Sequence, residues 1–523
     1  MRNSALGSVL VALLSTTAAN SEPLLSSWYT TPTGSYARIY DSLDDMQSNN
    51  AITSWRDQET PAYAGVHEIS ASADWVYIKS AGLGFHVMGP WYFDEAKTED
   101  FGSRPANTAS IYRFPKASVI PDSKTATRAG TIGYFVDGIA MFDSGDTFSY
   151  DTSEGTDQQP MNNAQGDGIW NRDAYINEGV TFDNANAHQA MTTHHYHANP
   201  PALRHLLGDS VDFESSTNVY TENFNGQHSP ILGWVQDGLP IYGPYGYDDP
   251  DPASTDTTVR RMISGYQHRD GTNGSTNLSV TGRTTLPEWC NRVDGRATVL
   301  SAAEYGPEVN AEIDDEVYTL GRYFEDYTYK GDLGLVQGQD FDLNEYNVRF
   351  CRTPEFPEGT WAYFTCILED GTPTFPYNIA TRFFGDPVGG NLTSIDEDVE
   401  VSFVGGPARV EDVSSSAAMD DTIVITWSVV EGGSYRLETT ADFETWDQTR
   451  EEVTAVGNLL STSDPGVIAS EDRRFYRLRR TGLADYDDAE FGSLGGGPGG
   501  GGAPGGGPPG GGPPNGGPPM NRP

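Results

Sequence analysis

Lysine is among the rarest residues in this chain. Only five of the 523 residues are lysine, and Lys plus Arg number 32 against 74 for Asp plus Glu, so the formal net charge at pH 7 is −42. A field of that sign repels phosphate backbones, so we expect no nucleic-acid binding. Solvated surface charge is the simplest explanation of the acidic excess.

Cysteine is scarcer still. The chain has three, Cys290, Cys351 and Cys366. Three cysteines form at most one intramolecular disulfide, and the sequence does not determine which two would pair. A fold built on a framework of disulfides is therefore excluded.

Long apolar runs are absent, so the sequence predicts no transmembrane segment. The first twenty residues contain one basic residue, Arg2, then an apolar stretch from residue 5 to residue 14, then small residues up to Ala19. This is the layout of a secretory signal peptide, whose apolar core is too short to span a bilayer. We therefore expect residues 1–19 to be removed and the mature protein to be secreted, periplasmic or held at the cell surface.

Familiar signatures of catalysis are also missing. The sequence contains no Gly-x-Ser-x-Gly nucleophile elbow, no phosphate-binding loop and no His-Glu-x-x-His motif. The residues alone thus leave open whether the chain is an enzyme.

Short alternating apolar segments separated by turn residues predict a mainly β fold with few helices. Residues 24–387 are rich in Gly, Pro, Asn, Asp and aromatics, which is typical of a large irregular β-rich domain. The best helix candidate is short, at 201–207. Residues 133–142 align with residues 233–242, and each segment has an Asp-Gly pair at its centre. Because Gly accepts a positive φ, this pair favours a tight turn, and we expect two related hairpins.

The composition changes near the C-terminus. Alternating residues in 422–427, 434–438 and 474–478 predict a small antiparallel β-sandwich, which we assign to residues 395–484. Residues 492–523 are mostly Gly and Pro without the period of collagen, and they predict a disordered tail. A sandwich followed by such a tail can attach a protein to a cell-surface polymer.

Histidine is concentrated in one segment. Six of the nine histidines lie between residues 188 and 228, including His188, His194, His195 and His197. Side chains two residues apart in a strand share a face, so His195 and His197 should project together and His194 to the opposite side. With His188 from the preceding loop they supply three imidazoles, which suit copper, zinc, iron or nickel better than calcium or magnesium, and copper or zinc is our expectation. We take His188, His195 and His197 as candidate metal ligands.

Other interpretations of this segment stay open. Histidines in loop-rich β proteins often hydrogen-bond to backbone carbonyl groups, and we expect His194 to do no more than that. Nearby acids can orient an imidazole through its second nitrogen, or they can simply cap turns. The candidates are Asp167, Asp173, Glu178 and Asp183.

A series of ordered motifs resembles the YHYH domain family of secreted bacterial proteins. The motifs are TFDNANAH (181–188), HHYH (194–197), LGWVQDGLPIYGP (232–244), RTTLP (283–287), TPEFPEGTWAY (353–363) and FPY (375–377). The resemblance covers about residues 130–385, and the stretch from residue 28 to 113 is similar to the N-terminal part of longer members. It implies the type of domain without implying an activity.

Two positions depart from the family pattern. The tetrad that names the family begins here with His194, where the family usually has Tyr. The common Cys-Asn-Gly-His stretch of the family reads Ala-Asn-Ala-His at residues 185–188, so the Cys is lost and His188 is kept. A thiolate ligand from this stretch is thereby excluded, whereas the three candidate histidines remain.

Three functional hypotheses follow. The first is an exported protein that binds a transition metal through the histidine cluster. The second is an adhesive or polymer-binding surface protein whose histidines are structural. The third is a metal-dependent extracytoplasmic enzyme that uses the same cluster.

The export hypothesis gives the first prediction. Because small residues follow a short apolar core, the mature protein from its native host should begin near residues 19–22. N-terminal sequencing or intact-mass measurement of that material would check this, and an intact Met1 would contradict it.

Overall fold

The structure is a computed structural model of the chain. It describes residues 22–127, 130–159, 166–406, 410–411, 413–419, 422–429, 433–441, 445–447, 450–456, 459–465 and 474–483. The predicted signal peptide (1–19) and the predicted disordered tail (492–523) lie outside the described residues.

The described residues form 33 strands and few helices, which confirms the predicted mainly β fold. The first twelve strands are β1 (Arg38–Ile39), β2 (Val66–Ala71), β3 (Trp75–Ser80), β4 (Val87–Met88), β5 (Ser110–Pro115), β6 (Thr131–Phe135), β7 (Ala140–Phe142), β8 (Gly145–Asp151), β9 (Thr156–Gln158), β10 (Asn171–Asp173), β11 (Ala187–Ala190) and β12 (Thr193–Tyr196). The next twelve are β13 (Val211–Glu214), β14 (Val219–Glu222), β15 (Ile231–Val235), β16 (Pro240–Tyr242), β17 (Tyr245–Tyr247), β18 (Val259–Arg261), β19 (Tyr266–His268), β20 (Ala311–Ile313), β21 (Glu316–Tyr318), β22 (Tyr327–Tyr329), β23 (Val348–Cys351) and β24 (Thr360–Phe364). The last nine are β25 (Gly390–Leu392), β26 (Glu400–Val404), β27 (Val410–Glu411), β28 (Val413–Met419), β29 (Thr422–Ser428), β30 (Gly433–Thr440), β31 (Val453–Thr454), β32 (Leu459–Pro465) and β33 (Phe475–Leu483).

The helices are short. They are α1 (Pro23–Ser26), α2 (Leu43–Gln47), α3 (Ala174–Glu178), α4 (Pro201–Leu206), α5 (Leu278–Thr281) and α6 (Glu288–Asp294), with 3-10 turns at Gly179–Thr181, Thr272–Gly274, Phe324–Asp326 and Lys330–Leu333. Helix α4 confirms the helix predicted at 201–207. Within the described ranges, no helix has the length and apolar character needed to cross a membrane.

An eight-stranded sheet forms the centre of the body, with the strand order β11-β12-β7-β6-β15-β16-β24-β23. Its middle four strands are the two hairpins predicted from the internal repeat, β6–β7 and β15–β16. The hairpins are neighbours, since β6 and β15 pair antiparallel. The repeat in the sequence therefore forms two related hairpins, and one strand of each hairpin pairs with one strand of the other.

The glycine that opens each repeat is explained by this contact. In the register of β6 and β15, Gly133 lies opposite Val235 and Gly233 opposite Phe135. A Cβ atom on Gly133 would lie 2.4 Å from the carbonyl oxygen of Trp234, and one on Gly233 would lie 2.6 Å from that of Tyr134. These positions accept only glycine without a shift of the backbone.

The Asp-Gly pairs form the turns. The Oδ1 atom of Asp137 accepts a hydrogen bond from the amide of Ile139 at 3.2 Å. In the second hairpin, Oδ1 of Asp237 accepts one from the amide of Leu239 at 3.1 Å. The glycines that follow, at 138 and 238, have φ values of +85° and +80°, as the sequence predicted.

The outer strands extend the same two-fold relation. Strand β12 runs parallel to β7 with Tyr196 opposite Met141, and β24 runs parallel to β16 with Tyr363 opposite Ile241. Because β7 and β16 are equivalent strands, Tyr363 corresponds to Tyr196. The residues on either side of Tyr363, Ala362 and Phe364, then correspond to His195 and His197.

A second, five-stranded sheet packs against the central one, in the order β25-β5-β3-β2-β26. Residues of β3 and β5, including Ile78, Tyr112 and Phe114, share one buried core with Tyr134 and Trp234. The sheet also includes β26, which lies within the range predicted for the C-terminal sandwich (395–484) and pairs here with β2. Smaller sheets surround this core: β1-β4, β10-β8-β9, β13-β14, β17-β18, β19-β22 and β20-β21.

The C-terminal region consists of two antiparallel sheets, β27-β33-β30-β31 and β28-β29-β32. Both contribute to one buried cluster, in which Trp427 of β29 packs with Tyr435, Leu437 and Leu478 of the other sheet. This arrangement agrees with the predicted small antiparallel sandwich.

The three cysteines are buried and form no disulfide with one another. Cys351 and Cys366 belong to the main core, and Cys290 packs in a second cluster around Trp289. Burial raises the pKa of Cys366 to about 12, so its thiol is protonated at neutral pH. These residues act as small core side chains.

The contact between β6 and β15 gives the second prediction. Replacing Gly133 with Ala places a methyl group against backbone that cannot rotate away, so the free energy of unfolding should fall by about 2 kcal/mol. Gly179→Ala is the matched control, because nothing lies within 4 Å of a Cβ built there. Urea denaturation of the two variants would measure the difference, and equal stabilities would contradict the close approach.

Candidate functional site

The candidate ligands lie on one hairpin at the edge of the central sheet. Strands β11 and β12 pair antiparallel, and His188 lies directly opposite His195. On its other side β12 pairs with β7, where His195 lies opposite Ala140. The body of the protein thus holds the hairpin along one strand, and the histidines come from both of its strands.

Side chains alternate along β12 as the sequence predicted. His195 and His197 project to one side, where their Nε2 atoms are 3.0 Å apart. His194 and Tyr196 project to the other, with ring centroids 6.2 Å apart. His188 joins the first pair, since its ring centroid is 4.6 Å from that of His195. The three predicted ligands are therefore brought together, with one ligand atom of each within 4.8 Å of the others.

Each of the three rings is held through Nδ1. In His195, Nδ1 lies 2.9 Å from the carbonyl oxygen of Thr193. In His197 it lies 2.7 Å from the carbonyl oxygen of Asp143. A carbonyl oxygen only accepts, so in both rings the proton is on Nδ1 and the lone pair is on Nε2.

The third ring is fixed in the same way by a hydroxyl group. Nδ1 of His188 lies 2.8 Å from Oγ1 of Thr181. That hydroxyl already donates to the carbonyl oxygen of Glu178 at 2.7 Å, so it accepts from the ring. The Nε2 lone pairs of all three histidines consequently face a common centre.

Aromatic rings enclose this centre. Phe142 stacks on His195 with centroids 3.7 Å apart and an angle of 14° between the planes. Phe182 lies parallel to His197 at 5.9 Å. The imidazoles are buried as a result, with 6% of His188, 1% of His195 and 3% of His197 exposed.

Burial keeps the rings neutral. It lowers the pKa of His197 to about 4 and the pKa values of His188 and His195 well below the usual 6.5. The positive charge that each neighbouring ring would carry lowers the pKa values of His188 and His195 further. At pH 7 all three are in the form whose lone pair can bind a metal.

Glu178 completes the cluster. Its Oε2 atom lies 3.5 Å from Nε2 of His188 and 3.4 Å from Nε2 of His197. Its side chain is 27% exposed, so it forms the side of the cluster nearest to solvent. Burial raises the pKa of this carboxyl well above its usual range, and the charge of Asp146 adds to the shift.

The sequence predicts for Glu178 only that it orients an imidazole or caps a turn. It is the last residue of α3, and a 3-10 turn brings the chain from there to β11. No helical or strand period connects it with His188, so spacing alone does not show that its carboxylate faces the histidines. The carboxylate reaches the histidines because of the conformation of the 3-10 turn that follows it.

The other acids have different roles. Asp173 caps α3 by accepting from the amide of Ile176, and Asp167 accepts from Thr152 in a turn. Asp183 accepts hydrogen bonds from three backbone amides and lies on the other side of β12, beside His194.

His194 departs from the expectation that it bonds to a backbone carbonyl. Burial lowers its pKa to about 3, and the nearby carbonyl of His188 acts in the opposite direction. Neither ring nitrogen nevertheless has a partner with hydrogen-bond geometry among the described residues. The ring lies instead beside His86, a residue that the sequence analysis did not single out.

Three imidazole nitrogens and a carboxylate oxygen form a recognisable donor set. Bonds of about 2.0–2.1 Å to one metal ion place neighbouring donors roughly 2.9–3.4 Å apart, from octahedral to tetrahedral geometry. The distances of 3.0, 3.4 and 3.5 Å between these donor atoms are close to that range. The arrangement can hold a transition metal ion.

The family comparison covers this region. The family model described as YHYH protein matches residues 111–378, slightly more than half of the chain. The matched segment includes Glu178, the three histidines and both central hairpins. No match is found among curated proteins or among solved structures. The matched length and its ordered motifs show that the chain belongs to the YHYH protein family.

Proposed function

We propose that this protein is exported and binds one transition metal ion, copper or zinc, through Nε2 of His188, His195 and His197. One observation carries the proposal. The Nε2 atoms of His195 and His197 are 3.0 Å apart, although both rings have their proton on Nδ1. Two lone pairs at that distance repel each other. A cation bound between the two nitrogens removes the repulsion, because each lone pair then forms a bond to the cation.

The donor types support copper or zinc. Imidazole suits both ions, and carboxylate is accepted by both, whereas calcium and magnesium prefer all-oxygen sites. No cysteine or methionine sulfur is among the four donor groups, which argues against Cu(I). The single negative charge of Glu178 offsets part of the charge of a divalent ion.

A metal-dependent enzyme is the second candidate, and the exposure of Glu178 favours it. The three imidazoles are almost fully buried, but the carboxylate is on the solvent side. An ion bound by three histidines keeps a position for water or substrate. Glu178 would then accept a proton from the bound water instead of binding the metal.

Loss of one imidazole tests the metal proposal. His197→Gln removes a ligand, so the affinity for Zn²⁺ and Cu²⁺ should fall by more than about 100-fold, since even an outer partner contributes roughly 10–100-fold. Calorimetric titration of each ion into chelator-stripped protein measures this. His205→Gln is the control, because His205 is exposed and its ring bonds to the carbonyl of Val211.

Unchanged affinity in His197→Gln would contradict the proposal, and so would absence of binding by the unmodified protein. Either result would make the three histidines structural and would favour the adhesive hypothesis.

Glu178→Gln distinguishes the two roles of the carboxylate. If Glu178 is a ligand, this change should weaken Zn²⁺ binding by more than about 100-fold, as expected for His197→Gln, because a neutral amide replaces a charged donor. If it is a proton acceptor, the affinity should stay within a few-fold of the unmodified protein. Glu312→Gln, at an exposed position in β20, is the matched control for the loss of one negative charge.

A further inference from the structure

A second group of metal-binding side chains lies on the opposite side of β12. His86, Asp183 and His194 each place one ligand atom within 4.8 Å of the others. All three are buried, with 6% of His86, 6% of Asp183 and none of His194 exposed. No residue is shared with the first cluster.

The two imidazoles lack partners with hydrogen-bond geometry in the part of the chain that the structure describes. This holds for both ring nitrogens of His86 and both of His194, although the carbonyl group of His188 lies near the His194 ring. The rings do not bond to each other, since their centroids are 6.4 Å apart. A neutral imidazole has one N–H donor and one lone pair, and each of these groups destabilises the fold when it is buried without a partner. A bound group that interacts with the ring nitrogens would remove this destabilisation for both rings.

Asp183 is held rigidly next to these rings. Its Oδ2 atom accepts from the amide of Gly89 at 2.7 Å, and its Oδ1 atom accepts from the amides of Ala185 and Ala187 at 2.9 and 3.2 Å. A carboxylate oxygen accepts two bonds, so Oδ2 keeps one position free.

The charge of this carboxylate also favours a cation. No lysine or arginine forms an ion pair with Asp183 among the described residues, and Lys97 acts on it only at longer range. Arg38 contributes a positive charge near His86, so an ion bound here would depend on Asp183 for its charge balance.

We infer that His86, Asp183 and His194 bind a second divalent transition metal ion, separate from the one proposed above. Two imidazoles and one carboxylate suit Zn²⁺ or Fe²⁺. The site joins two parts of the chain, because His86 precedes the segment matched by the family and the other two ligands lie within it. A bound ion therefore fastens the N-terminal region to the β11–β12 hairpin.

The metal content of the full-length mature protein tests this inference. After loading with Zn²⁺ and removal of free ion, the unmodified protein should hold two equivalents and His197→Gln should hold one. The double variant His86→Gln/His197→Gln should hold none, and in His197→Gln alone Zn²⁺ should raise the melting temperature. His205→Gln should keep both equivalents.

One equivalent in the unmodified protein and none in His197→Gln would overturn this inference and leave the first site intact. No zinc in the unmodified protein would overturn both. If the His86 variant does not fold, anomalous diffraction at the zinc edge from crystals of the unmodified protein decides the question. A peak among His86, Asp183 and His194 is expected, and a map that shows only the first site would refute the second.

Discussion

The hydrogen bonds to Nδ1 of His188, His195 and His197 decide what this cluster can do. Each bond fixes where the ring proton is, and together they leave an unprotonated Nε2 on each of the three rings. The partners come from separate parts of the fold: Thr181 from the 3-10 turn, Thr193 from the start of β12, and Asp143 from the residue after β7. The positions of the three rings therefore depend on the central sheet and on the 3-10 turn together.

The central sheet consists of two related halves, but only one half carries the candidate metal ligands. Strands β11-β12-β7-β6 are related to β23-β24-β16-β15 by the pairing of β6 with β15. The equivalents of His195 and His197 are Ala362 and Phe364, and Arg349 lies opposite Ala362 where His188 lies opposite His195. One half of a nearly symmetric frame thus carries nitrogen donors, while the other half has side chains that pack or form ion pairs.

Local patterns in the sequence predicted the local structure. The Asp-Gly pairs gave the two hairpins, and the period of two along a strand placed His195 and His197 on one side and His194 on the other. These features depend on residues within about ten positions of each other, where turn chemistry and strand geometry dominate.

Contacts outside these local patterns could not be predicted from the sequence. His86 meets His194 across 108 positions, and Glu178 reaches the histidines through an irregular turn. Strand β26 pairs with β2 across more than 300 residues, so its place in the sheet has no local signal. Sequence periodicity contains no information about which distant segments become neighbours, so it could not predict the contact of His86 with His194. Nor does it describe the irregular turn that brings Glu178 to the histidines.

X-ray absorption at the zinc edge identifies the donor atoms around a bound zinc ion. The sample is His86→Gln protein loaded with one equivalent of Zn²⁺, so that only the first cluster binds the ion. If the ion binds to the first cluster, the spectrum should show the multiple scattering of three imidazoles plus one oxygen donor, at bond lengths of about 2.0–2.1 Å. A shell of oxygen atoms without imidazole scattering would contradict binding at this cluster.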